Sequence, residues 1–202
     1  MSKTVTIIDY GMGNLRSVQK AFERINVTAN ITNNPLDLTN ANKIILPGVG
    51  HFQQGMKNLS ETGFVDAIRE QIIKDKPILG ICLGMQLLTS FSEEGNVYGL
   101  GVVPGKTLKF PFSKLKIPHM GWNSLNIIKE TKFSNNISKD DLFYFVHSYY
   151  VKCSNITDVL FQTEYGITFD SGFQHGNIFG VQFHPEKSHK SGLSVLSNFI
   201  SL

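Results

Sequence analysis

The stretch Pro77-Ile78-Leu79-Gly80-Ile81-Cys82-Leu83-Gly84-Met85-Gln86 decides the fold. Pro77 to Ile81 is a short apolar run, typical of a buried strand, that ends on Cys82. Glycines two residues before and after Cys82 leave room for a sharp turn, and Met85 to Phe91 is predicted to be helical beyond it. A strand that turns directly into a helix is typical of a parallel sheet, whose strands are joined by crossover helices. The stretch therefore predicts an α/β fold with Cys82 at a strand-to-helix turn.

The residues before this stretch repeat the alternation of strands and helices. Apolar runs predict strands over Val5 to Tyr10, Val27 to Thr32 and Lys43 to Leu46. Apolar residues spaced three or four apart predict two amphipathic helices, one carrying Leu15, Val18, Phe22 and Ile25 and the other carrying Phe64, Ile68, Ile72 and Ile73. Asn14 is suited to cap the first of these helices. The alternation predicts a mostly parallel sheet.

The second half of the chain is predicted to be rich in strands. After Ser92, apolar runs are separated by turn residues, at Val102-Val103, Leu142 to Val151, Val159 to Thr163, Ile167 to Phe173 and Ile178 to Phe183. A final helix is marked by Leu193, Leu196 and Phe199 or Ile200. No internal repeat or low-complexity tract divides the chain, and 202 residues suffice for one core, so we expect a single domain over residues 1–202.

The composition is that of an ordinary globular protein. Hydrophobic residues make up 41% of the chain, charged residues 17%, and the formal net charge is +3. No run of five or more basic residues occurs, so we expect no nucleic-acid partner. The longest apolar stretch, Pro77 to Leu88, is too short to cross a bilayer, so we expect no membrane association.

The termini and the cysteines indicate the compartment. Met1 to Val5 lacks the apolar region and the small-residue cleavage site of a secretory signal. The two cysteines, Cys82 and Cys153, cannot make a disulfide framework and would be free thiols in a reducing cytosol. No Cys/His spacing suits zinc, and no phosphate-binding loop occurs. We therefore expect a cytoplasmic protein without a metal or another cofactor.

Cys82 has the setting of a nucleophile. A thiol at a helix N-terminus meets unpaired N–H groups and the positive end of the helix dipole, which favour the reactive thiolate. The N–H of Leu83 would point at a carbonyl group under attack, and the loop Pro47-Gly48-Val49-Gly50 could offer a second donor from Gly48 or Val49. Buried cysteines without a chemical role are common, so the spacing alone leaves a structural role open.

His184 is the predicted base. A thiolate that attacks a carbonyl group needs a partner that protonates the leaving group, and histidine titrates in the right range. His184 follows the apolar run Gly180 to Phe183 and precedes Pro185 and Glu186. Residues two apart in an extended chain point the same way, so the Glu186 carboxylate can reach the ring of His184 and fix its tautomer. The alternative is a histidine with a structural role at the end of a strand.

The other histidines are weaker candidates. His147 ranks second, and we expect it to pack or to line a pocket, because no carboxylate lies within two residues of it. The remaining histidines lack a local orienting partner, except that one lies three residues beyond Glu186, and surface or loop positions would suffice for them. These are His51, His119, His175 and His189.

The two motifs together resemble those of the class I glutamine amidotransferases. They are Gly80-Ile81-Cys82-Leu83-Gly84-Met85-Gln86 and Gly180-Val181-Gln182-Phe183-His184-Pro185-Glu186. Within that family, other stretches are similar to the glutaminase subunits of imidazole glycerol phosphate synthases. These stretches are Asp9 to Asn14, Pro47 to Gly50, Pro118 to Asn123, Tyr144 to Tyr149 and Pro185 to Ser188.

The resemblance implies a flavodoxin-like three-layer sandwich and an enzyme that hydrolyses L-glutamine to glutamate and ammonia. The triad would consist of Cys82, His184 and Glu186. The amino-acid end of glutamine would be held by Gln86 and Glu94, with backbone of Gly50, Ser148 and Tyr149 nearby. Ammonia would pass to a (β/α)8 cyclase subunit of a heterodimer, in histidine biosynthesis. The residues facing that partner would be Asn14, Arg16, Trp122 and Tyr144.

Three other functions remain open from the sequence. The same glutaminase could serve a different synthase, for example one that makes an amino or amidino sugar for surface polysaccharide. A flavodoxin-like regulatory module without turnover is a second alternative, and the intact triad argues against it. A cysteine hydrolase of free γ-glutamyl compounds that works without a partner is the third.

Overall fold

The computed structural model describes residues 3–111 and 115–202. The α-helices are α1 (Leu15–Glu23), α2 (Phe52–Glu61), α3 (Phe64–Ile73), α4 (Leu83–Leu87) and α5 (His189–Ser201). The strands are β1 (Thr4–Ile8), β2 (Thr28–Thr32), β3 (Ile44–Leu46), β4 (Ile78–Ile81), β5 (Thr89–Ser92), β6 (Val97–Tyr98), β7 (Val103–Lys109), β8 (His119–Ser124), β9 (Asn126–Ile127), β10 (Leu142–His147), β11 (Tyr149–Cys153), β12 (Val159–Glu164), β13 (Thr168–His175) and β14 (Ile178–Val181). Short 3-10 helices cover Pro35–Asn40, Lys132–Ser134, Ile156–Asp158 and Pro185–Lys187.

A parallel sheet forms the centre of the molecule. Its strands lie in the order β2-β1-β3-β4-β14, and each pair of neighbours is parallel. Beyond β14 the sheet continues through β13, β11 and β7, which pair antiparallel with their neighbours on that side. β8 and β10 form a separate antiparallel pair. The predicted α/β class, with a parallel centre and a β-rich second half, is confirmed.

Apolar side chains alternate along the parallel strands and pack on both faces of the sheet. Ile7 and Ile81 belong to one core, which also contains apolar residues of α1 and α5. Ile8 and Ile78 belong to a second core, which contains apolar residues of α2 and α3. Successive strand residues point to opposite faces, which explains why neighbours in sequence belong to different cores. Helices cover both faces, so the predicted three-layer sandwich is confirmed.

Helix α1 begins where the sequence predicts. The backbone N–H of Ser17 donates to the side-chain oxygen of Asn14 at 3.4 Å, which satisfies one of the free donors of the first turn. Val18 and Phe22 are buried against the sheet, as the spacing of apolar residues indicates.

The helix predicted over Met85 to Phe91 is wrong beyond Leu87. Helix α4 ends there, and Thr89–Ser92 form β5, which pairs with β6 and β7. The hydroxyl of Thr89 donates to the carbonyl of Gln86 at 2.7 Å, so a side chain takes up a carbonyl that a further helical turn would have used. Apolar periodicity alone does not separate a short helix followed by a strand from one longer helix.

The strand predicted over Leu142 to Val151 is divided at Ser148. The first part, β10, pairs with β8, whereas the second part, β11, pairs with β7 and β13 in the central sheet. Helix α2 was not predicted, because it is mostly polar and buries only Phe52, Gly55 and Leu59 among its residues. The division at Ser148 places the end of β10 beside the C-terminal ends of β4 and β14, where the functional residues lie.

Candidate active site

Cys82 occupies a strained turn between β4 and α4. Its φ of 54° lies in the left-handed region, which residues other than glycine rarely adopt and which is common at functional sites. A Cβ on Gly80 would lie 2.7 Å from the backbone of Gly84 and Met85, and one on Gly84 would lie 1.7 Å from the carbonyl oxygen of Leu46. Side chains at these two positions would therefore prevent the close contact of turn, helix and neighbouring strand.

Strand β14 brings His184 to the cysteine. β14 is paired with β4 in register Gly180 to Gly80 and Val181 to Ile81, and the N–H of Cys82 donates to the carbonyl of Val181 at 2.8 Å. Since both strands are parallel, their C-terminal ends lie at the same edge of the sheet. The two residues that the sequence selected as nucleophile and base are thus brought to one site.

His184 and Glu186 form a buried pair. Nδ1 of His184 lies 2.8 Å from Oε1 of Glu186, and each side chain is only 2% exposed. The sequence argument expected this contact in an extended chain, but residues Pro185–Lys187 form a 3-10 helix. Proline at the first position suits the start of a helix, and the tight turn brings the carboxylate back to the ring. The contact between His184 and Glu186 is as expected, but the extended backbone that was expected to produce it is wrong.

The charge of His184 depends on its neighbours. Burial opposes the charged imidazole, but the Cys82 sulfur and the Glu186 carboxylate outweigh it and raise the pKa of His184 to about 10. With Nδ1 turned to Glu186, Nε2 of His184 is buried and has no hydrogen-bond partner among the described residues. The ring can therefore give a proton from Nε2 to a group bound next to Cys82.

A cavity of about 290 Å³ opens in front of Cys82 and His184. Its lining includes all five residues that the sequence selected for substrate binding: Gly50, Gln86, Glu94, Ser148 and Tyr149. Val49 and Leu83 also line it, whereas the buried Gly48 does not. The cavity suits a molecule of amino-acid size that has its reacting group at Cys82.

The donors expected to hold an oxyanion are not both open to the cavity. The N–H of Leu83 donates to the carbonyl of Gly48 at 3.3 Å, so this donor is already occupied. Val49 is 41% exposed, and Gly50 has a φ of 111°, a conformation that favours glycine. In this conformation the loop from Pro47 to Gly50 presents the carbonyl of Gly48 at a place where an oxyanion hole needs N–H groups.

Gln86 and Glu94 are held by contacts within the protein. Nε2 of Gln86 donates to the carbonyl of Tyr149 and to Oε1 of Gln182, each at 3.0 Å. Oε2 of Glu94 accepts from the N–H of Phe52 at 2.7 Å, at the start of α2. The unpredicted helix α2 therefore fixes one carboxylate of the cavity wall.

The sequence also missed the burial of His119. It lies on β8, is 3% exposed rather than on the surface, and its Nδ1 is 3.0 Å from Nε2 of His147. Burial lowers the pKa of His119 to about 4 and that of His147 to about 3. His147 lines the cavity, as expected, and both rings are neutral at neutral pH. The register of β8 with β10 places these two histidines opposite each other, a pairing that one strand's sequence does not reveal.

The residues selected for a partner surface lie at two places. Trp122 is 46% exposed, stacks on His189 with ring centres 5.1 Å apart, and contacts the edge of Tyr144. Asn14 and Arg16 are exposed at the start of α1. All four side chains can meet another molecule without unfolding the site.

A metal site and a membrane-spanning helix are both absent from the described ranges, 3–111 and 115–202. No group of three or more His, Cys, Asp or Glu residues there could hold a metal ion. In the same ranges, no helix combines the length and the apolar character that spanning a bilayer requires. Cys153 is buried on β11, and burial raises the pKa of its thiol to about 12, so it is a poor nucleophile at neutral pH.

Comparison with known proteins gives a consistent result. The family described as "Glutamine amidotransferase class-I" matches residues 6–202. Imidazole glycerol phosphate synthase subunit HisH 2 of Methanococcus maripaludis is 50% identical over 198 residues, covering 97% of this chain and 98% of the relative. Subunit HisH 1 of Campylobacter jejuni strain RM1221 is 50% identical over 201 residues, covering 98% and 100%. Subunit HisH of Moorella thermoacetica is 49% identical and covers 98% and 94%.

Solved structures share the fold. A chain of the PurLQS structure from Thermotoga maritima superposes with a TM-score of 0.78 at 20% identity, covering 100% of this chain and 99% of its own. A glutamine amidotransferase from Thermotoga maritima gives a TM-score of 0.68 at 19% identity, covering 92% and 77%. At these identities the likeness concerns the arrangement of strands and helices alone.

Proposed function

Because the chain belongs to the class I glutamine amidotransferase family, we propose that it is the glutaminase subunit of an imidazole glycerol phosphate synthase. It hydrolyses L-glutamine to glutamate and ammonia within a single amidotransferase domain. The observation that carries the chemistry is the buried His184–Glu186 pair, with Nε2 of His184 free beside a cavity that Cys82 also lines. The relatives that are 50% identical over nearly the full length support the choice of pathway.

The reaction follows from the protonation of the pair. The Cys82 thiolate attacks the γ-carboxamide carbon of glutamine, and His184 gives its Nε2 proton to the nitrogen that leaves as ammonia. The product is a thioester between Cys82 and the γ-glutamyl group. A water molecule then gives a proton to the neutral His184 and its hydroxide attacks the thioester, which restores the thiolate and the imidazolium and releases a γ-carboxylic acid that loses its proton to the solvent to give glutamate. Glu186 fixes the tautomer of His184 and stabilises its charge throughout.

Substrate contacts are assigned from the lining of the cavity. Gln86 and Glu94 hold the amino-acid end of glutamine, since both line the cavity that contains Cys82. Backbone groups of Gly50, Ser148 and Tyr149 complete the wall. Leu83, with Val49 or Gly48, supplies the oxyanion donors once the loop has changed its conformation.

Ammonia is consumed by a partner subunit. Most free ammonia is protonated at neutral pH and is then not a nucleophile, so a subunit that releases it works best when docked to its consumer. The partner is a (β/α)8 cyclase subunit, with which the chain forms a heterodimer in the cytoplasm. The exposed ring of Trp122, its neighbour Tyr144, and Asn14 and Arg16 face this partner.

A second synthase is the alternative partner. A synthase of amino or amidino sugars is one such partner. The glutaminase chemistry is the same in both cases.

The test uses the reconstituted complex with the cyclase subunit of the same organism. Synthesis of imidazole glycerol phosphate is measured with glutamine and, separately, with ammonium salts as the nitrogen source. We expect wild-type protein to support both, and Cys82→Ala to abolish only the reaction with glutamine, because the cyclase does not need the thiol. The proposal would be contradicted if Cys82→Ala reduced synthesis equally with glutamine and with ammonium salts, or if the two chains did not bind each other.

A further inference from the structure

Gln182 contacts the nucleophile but has no part in the reaction described above. It follows β14, two residues before His184, and its side chain is completely buried. Nε2 of Gln182 lies 3.7 Å from Sγ of Cys82, close enough for a weak hydrogen bond to sulfur. An amide buried against a reactive sulfur either stabilises its charge or presents an oxygen that repels it, so its orientation decides its effect.

The backbone carbonyl of Tyr149 fixes the orientation of the Gln182 amide. The carbonyl of Tyr149 can only accept a hydrogen bond, so the side-chain nitrogen of Gln86 faces it, at 3.0 Å. The second N–H on the same atom of Gln86 then points at Gln182, which must present its oxygen, also at 3.0 Å. The nitrogen of Gln182 is left facing Cys82. Turning either amide over would place two acceptors or two donors against each other.

The carbonyl at the start of this chain of hydrogen bonds is itself held in place. Nδ1 of His147 lies 2.8 Å from the oxygen of Tyr149, and Nε2 of His147 lies 3.0 Å from Nδ1 of His119. A neutral histidine has one N–H and one acceptor nitrogen, and burial keeps both rings neutral. If His147 donates to the carbonyl of Tyr149, its Nε2 accepts from His119. The hydrogen bonds therefore run in one direction from His119 to the carbonyl of Tyr149.

We propose that Gln182 is a further catalytic residue, whose amide N–H stabilises the thiolate of Cys82, and that Gln86 is the positioning residue that holds this amide. The proposal rests on Cys82 being the nucleophile of the proposed glutaminase. A hydrogen bond to a charged sulfur is stronger than one to a neutral thiol, so the N–H favours the reactive form. It also stabilises the sulfur when it leaves as thiolate during hydrolysis of the thioester.

The experiment compares Gln182→Met with Gln71→Met. Both substitutions replace a buried glutamine by a side chain of similar size, but Gln71 lies in α3 and does not line the cavity. The rate at which iodoacetamide alkylates Cys82 is measured in the isolated chain at pH 7, with Cys153→Ala as the common background. We expect Gln182→Met to be alkylated roughly ten- to a hundredfold more slowly, and Gln71→Met at the rate of the background protein.

Kinetics in the complex with the cyclase subunit provide the second readout. Gln182→Met should lower kcat for glutamine hydrolysis by a similar factor, because its amide contacts the sulfur, whereas a change in KM would report on Gln86, which loses its acceptor in Gln182. Other titratable groups around the sulfur are His184, His147, Tyr10 and Glu94, and they are the same in both variants. Any difference between the variants is therefore assigned to the amide.

The outcomes separate this inference from the proposed function. Unchanged alkylation of Gln182→Met would overturn the inference even if kcat fell, since the amide would then act elsewhere. If the wild-type complex hydrolyses no glutamine, the proposed function fails, while alkylation still tests the contact. If Gln182→Met does not fold, as judged by thermal melting, Gln86→Met replaces it. That variant keeps Gln182 but removes the N–H that orients it, and its alkylation without glutamine should also be slower.

Discussion

The N–H of Leu83 donates to the carbonyl of Gly48, with the two atoms 3.3 Å apart. The same N–H is the donor expected to stabilise the oxyanion formed when Cys82 attacks glutamine. The isolated chain thus has to break this contact before the donor can act. The Pro47 to Gly50 loop contains two glycines, and rotation of the peptide between Gly48 and Val49 would exchange the carbonyl for an N–H.

Glutaminase activity should therefore be low in the isolated chain. One oxyanion donor contributes about 3 kcal/mol, so binding of a cyclase subunit with its ligand should raise kcat at least about a hundredfold. The measurement is glutamate production with the chain alone, with the cyclase, and with the cyclase and its ligand. Full activity of the isolated chain would show that the Leu83 donor is already available.

Only Cys82 should react with a glutamine analogue that carries an electrophile. Cys153 is buried, and its raised pKa of about 12 keeps the thiol protonated at neutral pH. Mass spectrometry should find one modified site in wild-type protein and in Cys153→Ala, and none in Cys82→Ala. Cys82→Ala should also lose at least roughly four orders of magnitude in glutamine hydrolysis. Labelling of Cys153 would contradict the assignment.

Glu186→Gln should be milder than His184→Ala. In the proposed reaction the Glu186 carboxylate, 2.8 Å from the ring, orients and stabilises the imidazole without taking its proton, whereas the ring itself moves the proton. We expect Glu186→Gln to retain roughly ten- to a hundredfold more kcat than His184→Ala. His184→Ala should also melt lower than Glu186→Gln, because it leaves the buried Glu186 carboxylate without its charged partner. If a well-folded Glu186→Gln is as inactive as His184→Ala, Glu186 has a further role.

Tyr10→Phe should stabilise the protein. The hydroxyl of Tyr10 is buried, and no hydrogen-bond partner lies within reach of it in the described part of the chain. Removing it removes an unpaired polar group, which should raise the free energy of unfolding by about 1 kcal/mol and the melting temperature by about 2–4 °C. The matched control is Tyr165→Phe, which loses a hydrogen bond of 2.7 Å to the carbonyl of Lys116 and should melt lower. A lower melting temperature for Tyr10→Phe would refute this prediction.

Stability should fall as the pH is lowered from about 6.5 towards 4. His119 and His147 have pKa values of about 4 and about 3 in the folded protein, against an ordinary value of 6.5, so the unfolded chain binds more protons in this range. Each histidine lowers the free energy of unfolding by up to about 1.4 kcal/mol per pH unit there. His184 has a raised pKa, and its contribution changes only above pH 6.5.

Thermal melting between pH 7.5 and 4.5 measures this dependence. His119→Phe keeps a ring between Phe145 and Tyr165, on which His119 stacks, but removes one titrating group. Its melting temperature should fall less steeply with decreasing pH than that of wild type. Equal slopes in the two proteins would show that His119 is not the group responsible.

Sequence reasoning found the parts of the site that depend on local geometry. The turn at Cys82 needs glycines two residues away on each side, and Glu186 reaches His184 across a single residue. Such relationships lie within a few positions of one another and can be seen in one sequence. The same holds for the cap of α1 by Asn14.

The missed features depend on residues that are distant in sequence. The orientation of the Gln182 amide depends on the carbonyl of Tyr149. The two are connected by the side chain of Gln86, which lies 63 residues before Tyr149 in the chain. His119 is buried where β8 pairs with β10, which places it opposite His147, 28 residues later in the chain. No periodicity in the sequence records such contacts, so they need the folded structure.

The position of β14 has a consequence for the synthesis of the protein. This strand is inserted between β4 and β13, although it follows both in sequence, and it brings His184 to a cysteine 102 residues earlier. A growing chain on the ribosome that has not yet released residues 178–186 has a gap in the middle of its sheet and no base beside its thiol. Because chains grow at roughly 5–20 residues per second, Cys82 is made several seconds before the group that activates it. A nascent or truncated chain that ends before His184 therefore lacks the base on which the proposed release of ammonia depends.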